Sequence, residues 1–137
     1  MRHWLVKSDP ETYGWPDLVR DGTTSWDGVR SYAARIHLRA MNPGDLVLFY
    51  HSAEERSVVG IMKTLSEPHR DTTSEEETWS AVDVAPVGKL RTPVPLSKIK
   101  TVPSLRSIRL LREGRLSVMP LEKEEFETIV ALGGGTA

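Results

Sequence analysis

The chain has 137 residues, of which 39% are hydrophobic and 27% charged, the size and balance of one soluble globular domain. It contains no cysteine, which excludes disulfides, thiol nucleophiles and thiolate metal sites. No apolar run approaches the length of a membrane span, and the stretch before Lys7 is too short for a signal peptide, so a cytoplasmic location without membrane contact is expected. The net charge of −1 conceals a segregation: residues 88–118 hold eight Lys/Arg against one acid, Glu113, whereas residues 66–87 hold one against six. Such a local excess is either a solvated surface or a footing for a polyanion.

His3 to Val6, rich in large apolar side chains, is expected as a strand that stops at Asp9-Pro10. Trp15 to Arg20 has Pro16 in its first turn and predicts a short helix closed by Asp21-Gly22. A second helix is expected from Ser31, its cap, to Met41; Ala33, Ile36 and Ala40 share one face, and Arg35 and Arg39 another. Pro43-Gly44-Asp45 is a turn. Leu46 to Tyr50 follows as a strand that is apolar on both faces and therefore central. Further strands are expected over Val58–Leu65, with Gly60 as a bulge, and over Trp79–Val87, with a polar loop between them.

Beyond Pro93 and Pro95, a helical turn is expected at Leu96–Ile99, strands at Ile108–Leu111 and Leu116–Met119, and a final helix at Glu122–Leu132. That helix has acids in its first turn, a buried stripe of Phe126, Ile129 and Val130, and Gly133 as its stop. Strands do not alternate with helices. An α+β fold is therefore expected, with a mixed or antiparallel curved sheet or small barrel flanked by short helices. One domain over 1–132 and a flexible glycine-rich tail over 133–137 complete the reading.

Four clusters combine aromatic, small polar and basic residues beyond what a core requires: Trp4 to Pro10, Trp26 to Tyr32 leading into Arg35, Tyr50-His51-Ser52, and Arg115 to Val118. Trp4 and Tyr50 could be core, Lys7 could lie along a strand end, and Arg35 could pair with an acid. Three of the clusters, however, set a serine beside a Trp, Tyr, His or Lys, the mixture that stacks on a planar polar ligand and satisfies its edge. The four histidines show no metal-ligand spacing, and no nucleophile-elbow, P-loop or dinucleotide motif occurs, so neither a metal nor a cofactor is expected. Lys7 is the one residue with catalytic character.

These clusters resemble the EVE domain family over nearly the whole chain, from Trp4 to Leu132. The matching residues are Trp4, Leu5, Lys7, Ser8 and Pro10; Trp26 to Arg30 with Tyr32, Ala34 and Arg35; Leu38, Arg39, Met41, Gly44 and Asp45; Tyr50 to Ser52; and Arg115 to Val118 with Pro120. Asp9, Ser31 and Met119 depart from the family's usual Glu, Asn and Gln. The resemblance implies a PUA-like fold, kinship with YTH and ASCH modules, and a reader that flips a modified base, such as 5-methylcytosine, from DNA or RNA into a pocket.

On that reading the pocket draws on Trp4, Lys7, Ser8, Trp26, Gly28, Val29, Tyr32, Tyr50, His51, Ser52, Leu116 and Ser117. Arg30, Arg35, Arg39, Arg109, Arg112 and Arg115 would hold phosphates, and a monomer is expected. Two alternatives stay open: an ASCH-like amidohydrolase on an acylated nucleoside, using Lys7 with Asp9 or Asp27, and a binder of a free nucleotide-like molecule.

Overall fold

The large side chains of His3-Trp4-Leu5-Val6 do form a strand, β1 (His3–Ser8), in a computed structural model that describes residues 1–137. Asp9 does more than end it: its carboxylate accepts the Glu11 N–H at 2.9 Å and caps a one-turn helix, α1 (Pro10–Tyr13). Helix α2 (Trp15–Asp21) follows, and then strand β2 (Thr24–Trp26), which the sequence reading did not anticipate. Helix α3 (Tyr32–Arg39) starts at Ser31, whose side chain accepts from the Ala34 N–H. It buries Ala34 and Leu38, while Ala33 and Ile36 face solvent, so the apolar face expected at Ala33, Ile36 and Ala40 is not the packed one.

Strand β3 (Leu46–His51) is central and buried, as its continuous apolar run requires. It pairs in parallel with β1, Lys7 opposite Tyr50, and antiparallel with β4 (Ser57–Thr64). A two-residue strand, β5 (His69–Arg70), interrupts the expected loop. Strand β6 (Ser80–Pro95) extends well past the expected Val87. Its prolines are tolerated because the β4–β6 ladder changes register: Pro86 pairs Met62 at one shift, and Pro93 and Pro95 flank Val94 near the other.

After helix α4 (Leu96–Ile99) and a 3₁₀ turn at Pro103–Leu105, Arg109–Arg112 forms helix α5, not a strand. Burial of Ile108 and Leu110 alternates as a strand would, but Ile108 is the N-cap of α5 and only Leu110 is buried within the helix, a run too short to show its period. Strand β7 (Val118–Leu121) lies two residues later than expected and pairs with β1. Helix α6 (Lys123–Leu132) buries Phe126 and Ile129.

The sheet order is β2-β6-β4-β3-β1-β7, with β5 added on β6. It is a curled mixed sheet in which only β1 and β3 run parallel. Helix α3 packs against both β7 and β6, closing the curl from one side, and α6 packs on β1 and β6. Gly133–Ala137, expected as a flexible tail, is hydrogen-bonded along β6, with Arg91 N–H to Gly135 O at 2.9 Å and Ala137 N–H to Lys89 O at 2.8 Å. No helix is long and apolar enough to cross a membrane.

Candidate functional site

Strand ends and the loops that follow them leave side chains without ladder partners, and here three such ends converge. The C-terminal end of β1 contributes Lys7 and Ser8, α1 contributes Thr12 and Tyr13, and β2 contributes Trp26 and runs on into Asp27–Arg30. Ser117, just before β7, completes an open cavity of about 550 Å³.

Trp26 is its aromatic wall. The ring is 8% exposed, held edge-on by Tyr13 at 6.3 Å and by Phe49 at 5.3 Å between centroids. Lys7 reaches across and donates to the Gly114 carbonyl at 2.7 Å, its ammonium 5.8 Å from the Tyr50 ring centre. Burial lowers the proton affinity of Lys7 below the ordinary lysine range. Ser8 Oγ donates to the Tyr13 carbonyl at 2.5 Å, which fixes α1 against the strand end.

The rim is organised by Asp71, whose side chain is 0% exposed. Its carboxylate accepts from the Gly28 N–H at 2.8 Å, the Arg30 guanidinium at 2.8 Å, and the Thr73 N–H at 2.8 Å and hydroxyl at 2.5 Å. Burial works against the charged form, but the hydrogen bonds from Thr73, Arg30 and Gly28 outweigh it and hold the carboxyl well below the usual carboxylate range. Gly28 sits at φ 76°, where a side chain would be strained, so the turn that aims its N–H at Asp71 depends on glycine.

Of the sequence-predicted residues, Lys7, Ser8, Trp26, Gly28, Val29, Arg30 and Ser117 meet at this cavity. Others do not. Trp4 is 0% exposed and donates through Nε1 to Asp45 at 2.9 Å; the strand's alternation turns its ring inward, and it is core. Tyr50, 3% exposed, packs beneath Lys7 and does not line the cavity. His51 is buried: its Nε2 accepts the Trp15 N–H at 3.0 Å, its Nδ1 lies 2.7 Å from Glu55, and it thereby anchors the start of α2. Ser52 gives its N–H to the Ser8 carbonyl. Leu116 is buried against the core.

Tyr32 is 63% exposed and stacks on Trp79 at 5.2 Å, with the Arg35 guanidinium 4.9 Å from its ring. Arg35 donates to the Thr78 carbonyl and hydroxyl, and Arg39 to Ser80 Oγ at 2.8 Å and the Thr78 carbonyl at 2.6 Å. Both arginines thus tie α3 to the residues leading into β6. Arg30 is likewise committed to Asp71.

The basic segment is divided. Arg115 is exposed and lines a separate shallow hollow with Ser31, Glu113 and Gly114, the last of which is joined to the cavity through its carbonyl's bond to Lys7. Arg109 and Arg112 surround a separate hollow with Arg2 and Lys123 at the opposite end of β1, where Arg109 lies 3.3 Å from His37 Nε2. The sequence reading missed Thr12, Tyr13, Thr24, Ser25 and Asp71. Thr24-Ser25-Trp26 carries a faint β signal, whereas Asp71 sits in an acidic run that looks like solvated loop.

A sequence model of the EVE domain matches residues 2–132. Human thymocyte nuclear protein 1 is 36% identical over 164 aligned positions, which span 95% of this chain and 73% of that protein. A crystal structure of the human protein in complex with 5-methylcytosine-containing DNA superposes with a TM-score of 0.89, at 33% identity and full coverage of both chains. A crystal structure of a protein from Agrobacterium tumefaciens gives 0.96 at 37% identity, covering 98% of this chain and 94% of that one. An ASCH protein from Zymomonas mobilis, 14% identical, shares the fold at a TM-score of 0.57, covering 96% of this chain and 95% of its own.

Proposed function

This chain belongs to the EVE domain family, and from that premise we propose that it reads DNA by drawing one modified base, of the 5-methylcytosine class, into the cavity beside Trp26. One observation carries the reading. A relative of the same fold over its full length was crystallised with 5-methylcytosine DNA, and this chain has an open cavity with an aromatic wall and polar edges.

Extruding a base costs a few kcal/mol, least in a mismatch or single strand. Stacking on Trp26 returns roughly 1–3 kcal/mol. Val29, buried beside Trp26, supplies apolar surface for a 5-methyl group, while Lys7, Ser8 and Ser117 face the polar edges. Exposed Arg115, next in the chain to the Gly114 carbonyl that holds Lys7, supplies a cation for the strand's phosphates.

A buried methyl is worth about 0.8 kcal/mol, roughly fourfold in affinity, and a shaped pocket extends this to about 1–3 kcal/mol. A fluorescence-anisotropy titration with matched methylated and unmethylated oligonucleotides, as DNA and as RNA, tests the reading. Preference for methylated DNA is expected. Equal affinity removes the modification from the proposal, tighter binding to RNA removes DNA, and no binding overturns it.

A second reading, hydrolysis of an N-acylated nucleoside, is favoured by Lys7 and Asp27 lining one cavity. Against it, the Lys7 amine is engaged by the Gly114 carbonyl, and Asp9, the other carboxylate considered, caps α1. Turnover by the wild type that is lost in Lys7→Ala would establish the hydrolase.

A further inference from the structure

We propose that Asp27 selects the base by its exocyclic amine, so that a cytosine-class base is accepted and a thymine-class base refused; this rests on the base-reading function above. Asp27 is the one acidic side chain that lines the cavity. The two cationic groups there are engaged: Arg30 binds Asp71 at 2.8 Å, and Lys7 binds the Gly114 carbonyl at 2.7 Å. The Asp27 carboxylate has no partner beyond its own backbone N–H. Asp27 is exposed at the cavity, so its carboxylate is open to a ligand's edge; partial burial and the nearby charge of Asp71 push its proton affinity up.

Its position is held from both sides. Trp26 is paired with Val82 in the β2–β6 ladder, and the Gly28 N–H is bound by Asp71. The carboxylate therefore projects from a clamped backbone, as a specificity group requires.

The chemistry follows from the two base edges. Cytosine presents an N4 amine, a donor that a carboxylate accepts; thymine presents O4, an acceptor that a carboxylate repels. 5-Methylcytosine and thymine carry the same methyl group, so no apolar surface around Val29 distinguishes them. Only an edge contact does, and repulsion of the wrong edge discriminates as much as attraction of the right one.

The test is competition anisotropy with oligonucleotides that place 5-methylcytosine, cytosine or thymine at one mismatched position, which keeps the extrusion cost comparable. The wild type is expected to prefer 5-methylcytosine over thymine by roughly tenfold or more. In Asp27→Asn, whose amide offers both donor and acceptor, the ratio is expected to fall to about threefold or below, with an unchanged melting temperature. Asp27→Ser carries the same expectation with a smaller side chain, and Asp27→Glu, which keeps the charge, should retain part of the preference. A wild-type ratio near one, or an unchanged ratio in Asp27→Asn and Asp27→Ser, overturns this inference and leaves the base-reading function standing. Failure of the wild type to bind any of these oligonucleotides overturns both.

Discussion

The Asp71 carboxylate, wholly removed from solvent, accepts the backbone N–H of Gly28 at 2.8 Å across a sequence separation of 43 residues. Through this bond the acidic loop before β6 holds the rim of the cavity. Asp71→Asn should lower base affinity as the Gly28 turn relaxes, and should cost about 1–3 kcal/mol of stability, the range for a disrupted buried hydrogen-bond network. The folded-state pKa of Asp71 lies below its unfolded value, so its contribution is complete above the unfolded pKa of about 3.9 and declines as pH falls toward the folded one. Thermal melts should therefore show a constant gap between wild type and Asp71→Asn from about pH 5 to 8, narrowing below about pH 4. A gap independent of pH down to acid unfolding would assign the network no electrostatic role.

Gly60 on β4 lies against the ring of Trp15, and a methyl group in place of its hydrogen would overlap that ring. The atom it meets belongs to a ring packed edge-on to Phe49 at 5.6 Å, which cannot swing away cheaply. Gly60→Ala should destabilise the fold by roughly 1–3 kcal/mol, as overpacking does, and lower the melting temperature by several degrees. A melt indistinguishable from wild type would mean that α2 shifts freely on the sheet.

Trp4 and Trp26 look alike in the sequence and should behave oppositely. Trp4→Phe removes a donor from Asp45, which also accepts from the Arg2 and Asn42 backbones at 3.0 Å. About 1–3 kcal/mol of stability should be lost with little change in DNA affinity of the folded protein. Trp26→Leu removes the stacking face, and affinity should fall by roughly 1–3 kcal/mol. Parallel melts and titrations separate the two. Equal affinity losses would place Trp4 in the binding mechanism.

The arginines divide by position. Arg115→Ala should reduce the slope of log affinity against log salt by about 0.9, the value for one phosphate contact on a duplex. Arg112→Ala should leave it unchanged, because Arg112 donates to the Ser107 carbonyl at 2.8 Å and lies by the hollow at the other end of β1. A slope altered by Arg112→Ala would extend the DNA path around the molecule.

Leu46 to Tyr50 declared itself a central strand because a run apolar on both faces has nowhere else to go. Ser31, Pro16 and Gly133 marked helix ends by chemistry that acts within one turn. The Trp26–Arg30 run pointed to a candidate site through its residue types, and Trp26, Gly28, Val29 and Arg30 line one cavity with Lys7, Ser8 and Ser117. These features rest on interactions between near neighbours in the chain, or on chemistry carried by the side chain itself.

Tertiary structure decided the rest. Whether Trp4 or Trp26 faces the cavity depends on which face of each strand the curled sheet turns inward, and an aromatic side chain suits both environments. Arg30 and Arg35 carry the charge a phosphate needs, yet their partners, Asp71 and Thr78, lie more than forty residues away and satisfy them first. The same distance hid Asp71. A lone acid in an acidic loop becomes the buried organiser of the cavity's rim only when β6 folds back beside β2, and pairing between segments so far apart leaves no local signature.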